Sequence, residues 1–185
     1  MTHKTTDELM AGADAIREAP RGVGTVQLIV RRPAEGEREV LTQGHLDPTV
    51  GLVGDTWGAR PSTRTPDRSP HPDMQLNVMN ARAAALFAGL DKAGWPIAGD
   101  QLYLDLDLSG EALPAGSRLQ LGTAVIEVTD QPHRGCPKFS ARFGADALRF
   151  VNSEVGVALN ARGINARVVT AGAVRVGDAV SVLAG

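Results

Sequence analysis

Short apolar runs separated by glycine and proline turns are the feature that most limits how this chain can fold. Within the runs, leucine, valine and isoleucine alternate with polar residues, which is the pattern of half-buried strands. The chain has 21 glycines and 11 prolines but only two Trp, one Tyr and four Phe. Many short strands with few helices predict a mainly β fold with inserted helices, arranged as a closed or nearly closed β-barrel.

Two parts of the sequence are predicted to form hairpins. Residues 22–30 and 38–42 flank a turn, so they are expected to pair as antiparallel strands. The run at 119–129 is interrupted at Gly122-Thr123, which indicates either a hairpin tip or a β-bulge. Residues 101–108 are a further predicted strand, with leucines at every second position.

Helices are predicted in four places. Thr6 is the expected N-cap of the first, which ends before Pro20, and Asn80 is the expected cap of the second. On this basis the chain divides into an N-terminal helical appendage, residues 1–20, and a barrel domain, residues 21–185. The predicted helices are 6–19, 81–88, 144–151 and 154–162.

Size and charge exclude several classes of protein. At 185 residues the chain is long enough to bury a substantial core, and its net charge of -2 with no basic block gives no sign of nucleic-acid binding. No signal peptide or membrane-spanning run is expected. A single cysteine cannot form an internal disulfide, so we expect a reducing, cytoplasmic setting. We also expect the ligand to be a small molecule or a cofactor.

The only cysteine, Cys136, lies just past a predicted strand and is the candidate catalytic residue. His133, Arg134 and Lys138 lie within three residues of it, and neighbouring cations favour the reactive thiolate. His133 is the second catalytic candidate, as a general base or a cationic partner. Arg134, Lys138 and Arg142 are candidates for binding an anionic cofactor. The alternative is that Cys136 is a small buried hydrophobic residue.

The proline-rich segment 54–73 is too irregular for a helix or a strand. It carries Arg60, Arg64, Arg68 and His71, enough positive charge to bind an anion, and Arg60 is its candidate cofactor-binding residue. A loop of this length inside a domain is usually either functional or disordered. The alternative is a solvated, flexible loop.

A Gly-Asp pair occurs three times in the chain. The pair at 177–178 is interpreted as a turn with no other role. The pairs at 54–55 and 99–100 are also interpreted as turns, but they could lie near the candidate site around Cys136. Asp55 and Asn77, the latter on the polar face of a strand, complete the candidate cofactor-binding residues.

Four stretches, 51–55, 96–103, 119–129 and 163–178, are arranged around the single cysteine. Each stretch is weak evidence alone, but their order and spacing together are those of a known family. From about residue 22 to its end the chain resembles a MOSC domain, the module found at the C-terminus of molybdenum cofactor sulfurases and as stand-alone bacterial proteins.

The resemblance implies a barrel in which Cys136 faces a groove and either carries sulfur or lies at a molybdenum cofactor. In the latter case Cys136 would be the thiolate ligand of the metal. Arg134 matches the arginine that usually precedes the family cysteine. The chain departs from the family in having Gly135 before the cysteine and Pro137 after it, where many members have proline first. It also lacks the His-Gly-Gly segment that often follows the early Gly-Asp pair.

Two functions are consistent with these features of the sequence. The first is a sulfur carrier, sulfurtransferase or molybdenum-cofactor-dependent enzyme that uses Cys136. Because 185 residues leave no room for a pyridoxal-phosphate desulfurase domain, this function implies a separate sulfur donor or redox partner. The second is a non-catalytic module that binds an anionic cofactor or small molecule and in which Cys136 is structural.

Overall fold

Seven strands close into a barrel in the computed structural model, which describes residues 3–184. The strands, in chain order, are β1 (Val23–Arg31), β2 (Glu39–Leu41), β3 (Gln43–Asp47), β4 (Gly51–Leu52), β5 (Leu76–Asn80), β6 (Leu102–Asp105), β7 (Arg118–Leu121), β8 (Ala124–Val128), β9 (Ile164–Thr170), β10 (Gly172–Arg175) and β11 (Ala179–Val182). Going round the barrel, the order is β1-β11-β7-β8-β9-β5-β6, and β6 pairs with β1 to complete the circle. The predicted closed barrel is therefore confirmed.

All neighbouring strands of the barrel are antiparallel except β5 and β6, which are parallel. The end of β1 also pairs with β2, as predicted for the first hairpin. The interruption at Gly122-Thr123 is the tip of the β7–β8 hairpin. Strands β10, β3 and β4 form a second, three-stranded sheet.

Two apolar clusters hold the barrel and its helices together. Leu102 and Leu104 of β6 belong to the cluster inside the barrel. Tyr103, between them, belongs to a second cluster that the helices form with the outer face of β1, β5 and β6. The alternating leucines predicted a strand with one buried face. Both faces of β6 are buried instead, because the helices cover its outer side, where Tyr103 lies.

The helices lie mainly against that outer face. They are α1 (Thr6–Ala11), α2 (Ala13–Arg17), α3 (Ala81–Ala88), α4 (Pro137–Phe143), α5 (Ala145–Asn152) and α6 (Glu154–Ala158). Three short 3-10 helices cover Thr56–Ala59, Pro72–Met74 and Lys92–Ala98. The predicted N-cap of α3 is confirmed, since the Asn80 side chain accepts hydrogen bonds from the backbone of Arg82 and Ala83.

The first predicted helix is divided in two, and its cap is displaced by one residue. Thr5, not Thr6, forms the cap, in a capping box with Glu8. The helix breaks at Gly12, where a Cβ would lie only 2.3 Å from Leu86 Cδ1. Both pieces pack into the helix-covered cluster through Leu9 and other apolar residues. The division into an appendage, 1–20, and a barrel domain stays a prediction.

The region that follows the cysteine contains a helix, α4, that the sequence patterns did not predict. The predicted helix at 154–162 is shorter than expected and ends at Ala158. In the described part of the chain, no helix combines the length and the apolar character needed to cross a membrane.

Candidate functional site

Cys136 is the N-cap residue of α4, and its side chain is exposed. Its backbone is extended, and its carbonyl accepts hydrogen bonds from the N–H groups of Phe139 (2.9 Å) and Ser140 (3.1 Å). Pro137 occupies the first position of the helix, where its missing N–H costs no hydrogen bond. The exposure of the thiol removes the alternative in which Cys136 is a buried hydrophobic residue.

Gly135 explains why this chain departs from the usual residue order of the family. Its N–H donates to Asn152 Oδ1 (3.1 Å), and its carbonyl accepts from Asn152 Nδ2 (3.4 Å). A Cβ on Gly135 would lie 2.6 Å from Val151 Cγ2 and 2.7 Å from Leu148 Cδ1. The segment is therefore pressed against α5, where a larger residue at 135 would displace the Val151 and Leu148 side chains, and Pro137 follows the cysteine to begin α4.

His133 points away from solvent, with only 12% of its side chain exposed. Its Nδ1 lies 3.7 Å from Asp100 Oδ1, too far for a hydrogen bond. Burial, followed by the positive charges of Arg162, Arg32 and Arg64, holds the pKa of His133 well below its usual range. The imidazole is therefore neutral near pH 7 and lacks the charge that a cationic partner of Cys136 needs. Its role as a general base stays a prediction.

Two buried ion pairs lie beside this histidine. Arg32 contacts Asp55 through two hydrogen bonds of 2.8 Å, from Nε to Oδ2 and from Nη2 to Oδ1. Arg162 Nη1 lies 2.7 Å from Asp100 Oδ2. The two carboxylates have no exposed side-chain surface. The Gly-Asp pairs at 54–55 and 99–100 thus both lie at the site, whereas Asp178 closes a local turn by accepting from the Arg175 N–H (2.7 Å).

Three arginines converge on two consecutive backbone carbonyls, those of Ala98 and Gly99. Arg142 Nη1 and Arg162 Nη2 each donate to the Ala98 carbonyl at 3.2 Å. Arg32 Nη1 donates to the Gly99 carbonyl at 3.0 Å. These carbonyls end the 3-10 helix Lys92–Ala98, and Gly99 has a positive φ of 93° that favours glycine.

Two further arginines complete the group. A Cβ built on Gly99 would lie 3.6 Å from Arg38 Nη2, so this guanidinium reaches the same turn. Burial, then the charges of Arg142 and Arg32, lowers the pKa of Arg38. Burial, then the charge of Arg32, also lowers the pKa of Arg60. We call this group the arginine cleft, and it consists of Arg32, Arg38, Arg60, Arg142 and Arg162.

The arginine cleft carries more positive than negative charge. Its five guanidiniums face two buried carboxylates, Asp55 and Asp100, and the nearby His133 is neutral. Within residues 3–184, Arg38 Nε, Arg162 Nε and His133 Nδ1 are buried without a hydrogen-bond partner. An excess of buried and half-buried cations with unused donors is the arrangement expected of a site for an anion.

The segment 56–74 lies at one end of the cleft and, with Arg32 of the cleft, lines an open cavity of about 300 Å³. Asn77, at the edge of this cavity, donates to Asn165 Oδ1 (2.7 Å), and Asn165 donates to the Gln131 carbonyl (3.0 Å). Arg64 Nη1 also donates to Gln131 Oε1 (3.2 Å). The cavity is therefore joined by hydrogen bonds to the segment that carries Cys136.

Helix α4 also links the cysteine to the cleft. The Arg162 guanidinium lies over the Phe139 ring, 5.0 Å from its centroid. Cys136 is one helical turn from Phe139 and three positions after His133, so that its Cα lies within about 11 Å of the His133 Cα.

The residues that the sequence singled out fall into two groups. Asp55, Asn77, Arg60, Arg142 and His133 line the cleft or its cavity. Arg134 and Lys138 are exposed, and neither side chain forms a hydrogen bond or ion pair with another described residue. The role of each of these residues in binding or catalysis stays a prediction.

Sequence reasoning did not identify Arg32, Arg38 and Arg162 as residues of the site. Arg32 follows the apolar run of β1, and Arg162 lies two residues before β9. Arginine directly beside a predicted buried strand was the available signal, because a charge in that place needs a partner. In residues 3–184, no group of three or more His, Cys, Asp or Glu could hold a metal ion.

A family model described as "MOSC domain" matches residues 71–181 of this chain. Among solved structures, the YuaD protein of Bacillus subtilis is similar with a TM-score of 0.60 and 19% identity, over 88% of this chain and 97% of that one. YiiM of Escherichia coli is similar with a TM-score of 0.56 and 17% identity, over 87% of this chain and 70% of that one. Identities this low establish the fold alone. No curated protein matches the sequence.

Proposed function

We propose that this chain, which belongs to the MOSC domain family because the family model matches more than half of its residues, binds an anionic ligand in the arginine cleft and carries sulfur on Cys136. The family is related to the molybdenum cofactor sulfurases. The observation that carries the proposal is the convergence of Arg32, Arg142 and Arg162 on the turn at Ala98 and Gly99. The reducing, cytoplasmic setting expected from a single cysteine stays a prediction.

The ligand is proposed to be anionic because the cleft has unused donors and surplus charge. Guanidinium groups bind phosphate and carboxylate oxygens through paired hydrogen bonds. The pterin phosphate of a molybdenum cofactor and the carboxylate of a sulfur donor both have this chemistry. The cleft fits such a group, and Arg38 and Arg142 beside Gly99 would hold it. When bound, a molybdenum cofactor would supply redox chemistry, and Cys136 would be its thiolate ligand.

Cys136 is proposed to accept sulfur from a persulfide. Its thiolate attacks the terminal sulfur of the donor, so that a sulfur–sulfur bond forms at Cys136 while the donor's sulfur–sulfur bond breaks. The donor leaves as a thiolate, and Cys136 is left as a persulfide. Exposure of the thiol supports this step because a separate donor can reach it.

Anion binding is tested by replacing one arginine of the cleft. We expect Arg142→Gln to weaken binding of inorganic phosphate about 10- to 100-fold, since a hydrogen bond to a charged group contributes about 1.5–3 kcal/mol. Isothermal titration calorimetry measures the affinity. Arg118→Gln is the matched control, because Arg118 is exposed and pairs with Glu127 on the barrel surface. Loss of affinity in Arg134→Gln or Lys138→Gln, with Arg142→Gln unaffected, would place the anion outside the cleft.

The role of the cysteine is tested separately with Cys136→Ser. After treatment with a small-molecule persulfide, we expect intact-mass spectrometry to show one added sulfur atom on the wild-type protein and none on the variant. Phosphate affinity should be the same in both, because the thiol is not one of the proposed anion ligands. A wild-type protein that binds phosphate but never gains sulfur would favour the alternative, a binding module in which the cysteine is structural.

A further inference from the structure

We propose that His133 takes up a proton when a doubly charged anion enters the arginine cleft, so that the site binds the anion and the proton together. The inference rests on the proposed function, since it needs the cleft to be an anion site. The inference gives His133 a role at this site. After protonation, His133 lies beside the bound anion as an imidazolium, which can donate a proton.

The position of His133 leaves one ring nitrogen available for a proton. Its Nδ1 is buried, has no hydrogen-bond partner among residues 3–184, and lies 3.7 Å from Asp100 Oδ1. The neighbouring backbone leaves little free space, since a Cβ on Gly163 would come within 3.3 Å of this nitrogen. A buried imidazole nitrogen that faces a carboxylate without bonding to it can gain a charge-assisted hydrogen bond when it is protonated.

The charges around His133 explain why it is neutral before the anion binds. Arg162 precedes β9, Arg32 lies just after β1, and Arg64 lies in the segment that lines the cavity, while Asp100 follows the 3-10 helix. Burial first, and then these three arginines, lowers the pKa of the imidazole. The Asp100 carboxylate, which faces the ring, is already paired with Arg162 at 2.7 Å and does not offset the positive charges of the three arginines.

An anion in the cleft reverses this balance. The two negative charges of an anion held by Arg38 and Arg142 offset the positive charges of Arg162 and Arg32, which stay paired with Asp100 and Asp55. A nearby negative charge favours the protonated form of histidine. The proton comes from solvent, and in the resulting imidazolium both ring nitrogens carry hydrogen, so that Nδ1–H faces Asp100. By linkage, anion binding then becomes tighter as the pH falls through the range in which histidine titrates.

Sulfate is the suitable probe because it stays doubly charged between about pH 5 and 8, where histidine titrates. Calorimetric titration of the wild-type protein in two chloride-based buffers with different enthalpies of ionisation counts the protons taken up per sulfate. We expect uptake of a fraction of one proton near pH 7. The sulfate affinity should rise as the pH falls, by at most about tenfold per pH unit, the limit for a single proton.

Two histidine variants locate the proton. His133→Asn should bind sulfate with no proton uptake and with nearly constant affinity across this pH range. His45→Asn is the matched control, because His45 is an exposed residue of β3 outside the cleft and its cavity, and its loss should leave the uptake unchanged. Uptake that survives in His133→Asn, or disappears in His45→Asn, would overturn the inference.

A measurement on the unaltered protein covers the case in which His133→Asn folds poorly. Proton NMR follows the ring resonances of the four histidines with and without sulfate. We expect one histidine to have ring resonances that do not shift with pH in this range without sulfate but that do shift with pH when sulfate is present. Sulfate binding without such a change would refute proton coupling and leave the proposed anion site intact. No sulfate binding at all would refute both.

Discussion

Replacement of Asp55 by asparagine is expected to destabilise the protein by about 3–5 kcal/mol, since it leaves the buried charge of Arg32 without its partner. Both side chains are almost completely buried, with 0% of Asp55 and 5% of Arg32 exposed. The asparagine would also place an amide where the carboxylate now accepts from the Trp57 N–H (2.9 Å). Denaturation in guanidinium chloride, with the slope unchanged, measures the loss as a lower midpoint.

An ion pair on the surface provides the control for Asp55→Asn. Asp14 pairs with Arg17 at 2.6 Å, but 79% of the Asp14 side chain is exposed. Asp14→Asn is therefore expected to cost only about 0–1 kcal/mol. Equal losses in the two variants would show that burial of the Arg32–Asp55 pair does not determine its contribution.

Replacement of Phe139 by alanine is expected to cost about 3–5 kcal/mol, as for other buried aromatic residues. The ring is completely buried, and its centroid lies 5.4 Å from that of Phe87 and 4.9 Å from that of Phe143. It also lies under the Arg162 guanidinium. The change leaves a cavity between α4 and the barrel, and the same denaturation experiment measures its cost.

Leu90→Ala is the control for Phe139→Ala, because it also shortens an apolar side chain but at a position that is 90% exposed. Its expected effect is within about 0.5 kcal/mol. If Phe139→Ala proved as mild as Leu90→Ala, α4 would not be held by this ring. The geometric link between Cys136 and the cleft would then lose its main support.

The strands could be predicted from the sequence because their pattern is local. Alternation and Gly-Asp or Gly-Thr turns located β7, β8 and β11, and Asn80 marked the start of α3. Helix α4 was missed because it is short and contains a single period of apolar residues, Phe139 and Phe143. Proline directly after Cys136 was a usable signal, since proline is common at the first position of a helix.

The site was only partly predictable because its charges come together through the fold. Cys136 and His133 belong to one segment and could be found together. Arg162 and Asp100 are 62 residues apart, and Arg32 and Asp55 are 23 residues apart. No local pattern joins such residues. Barrel closure brings β1 beside β6, and it thereby brings Arg32 to the turn that precedes β6.

The carbonyls of Ala98 and Gly99 suggest which positions can change as this family diverges. Because Arg32, Arg142 and Arg162 bond to backbone oxygens there, the identity of the side chain at 98 contributes nothing to these bonds. Gly99 is restricted by its positive φ of 93°. Among distant relatives, the length of the turn and its glycine should therefore persist, so an alignment of this site should be anchored on the glycine and the arginines.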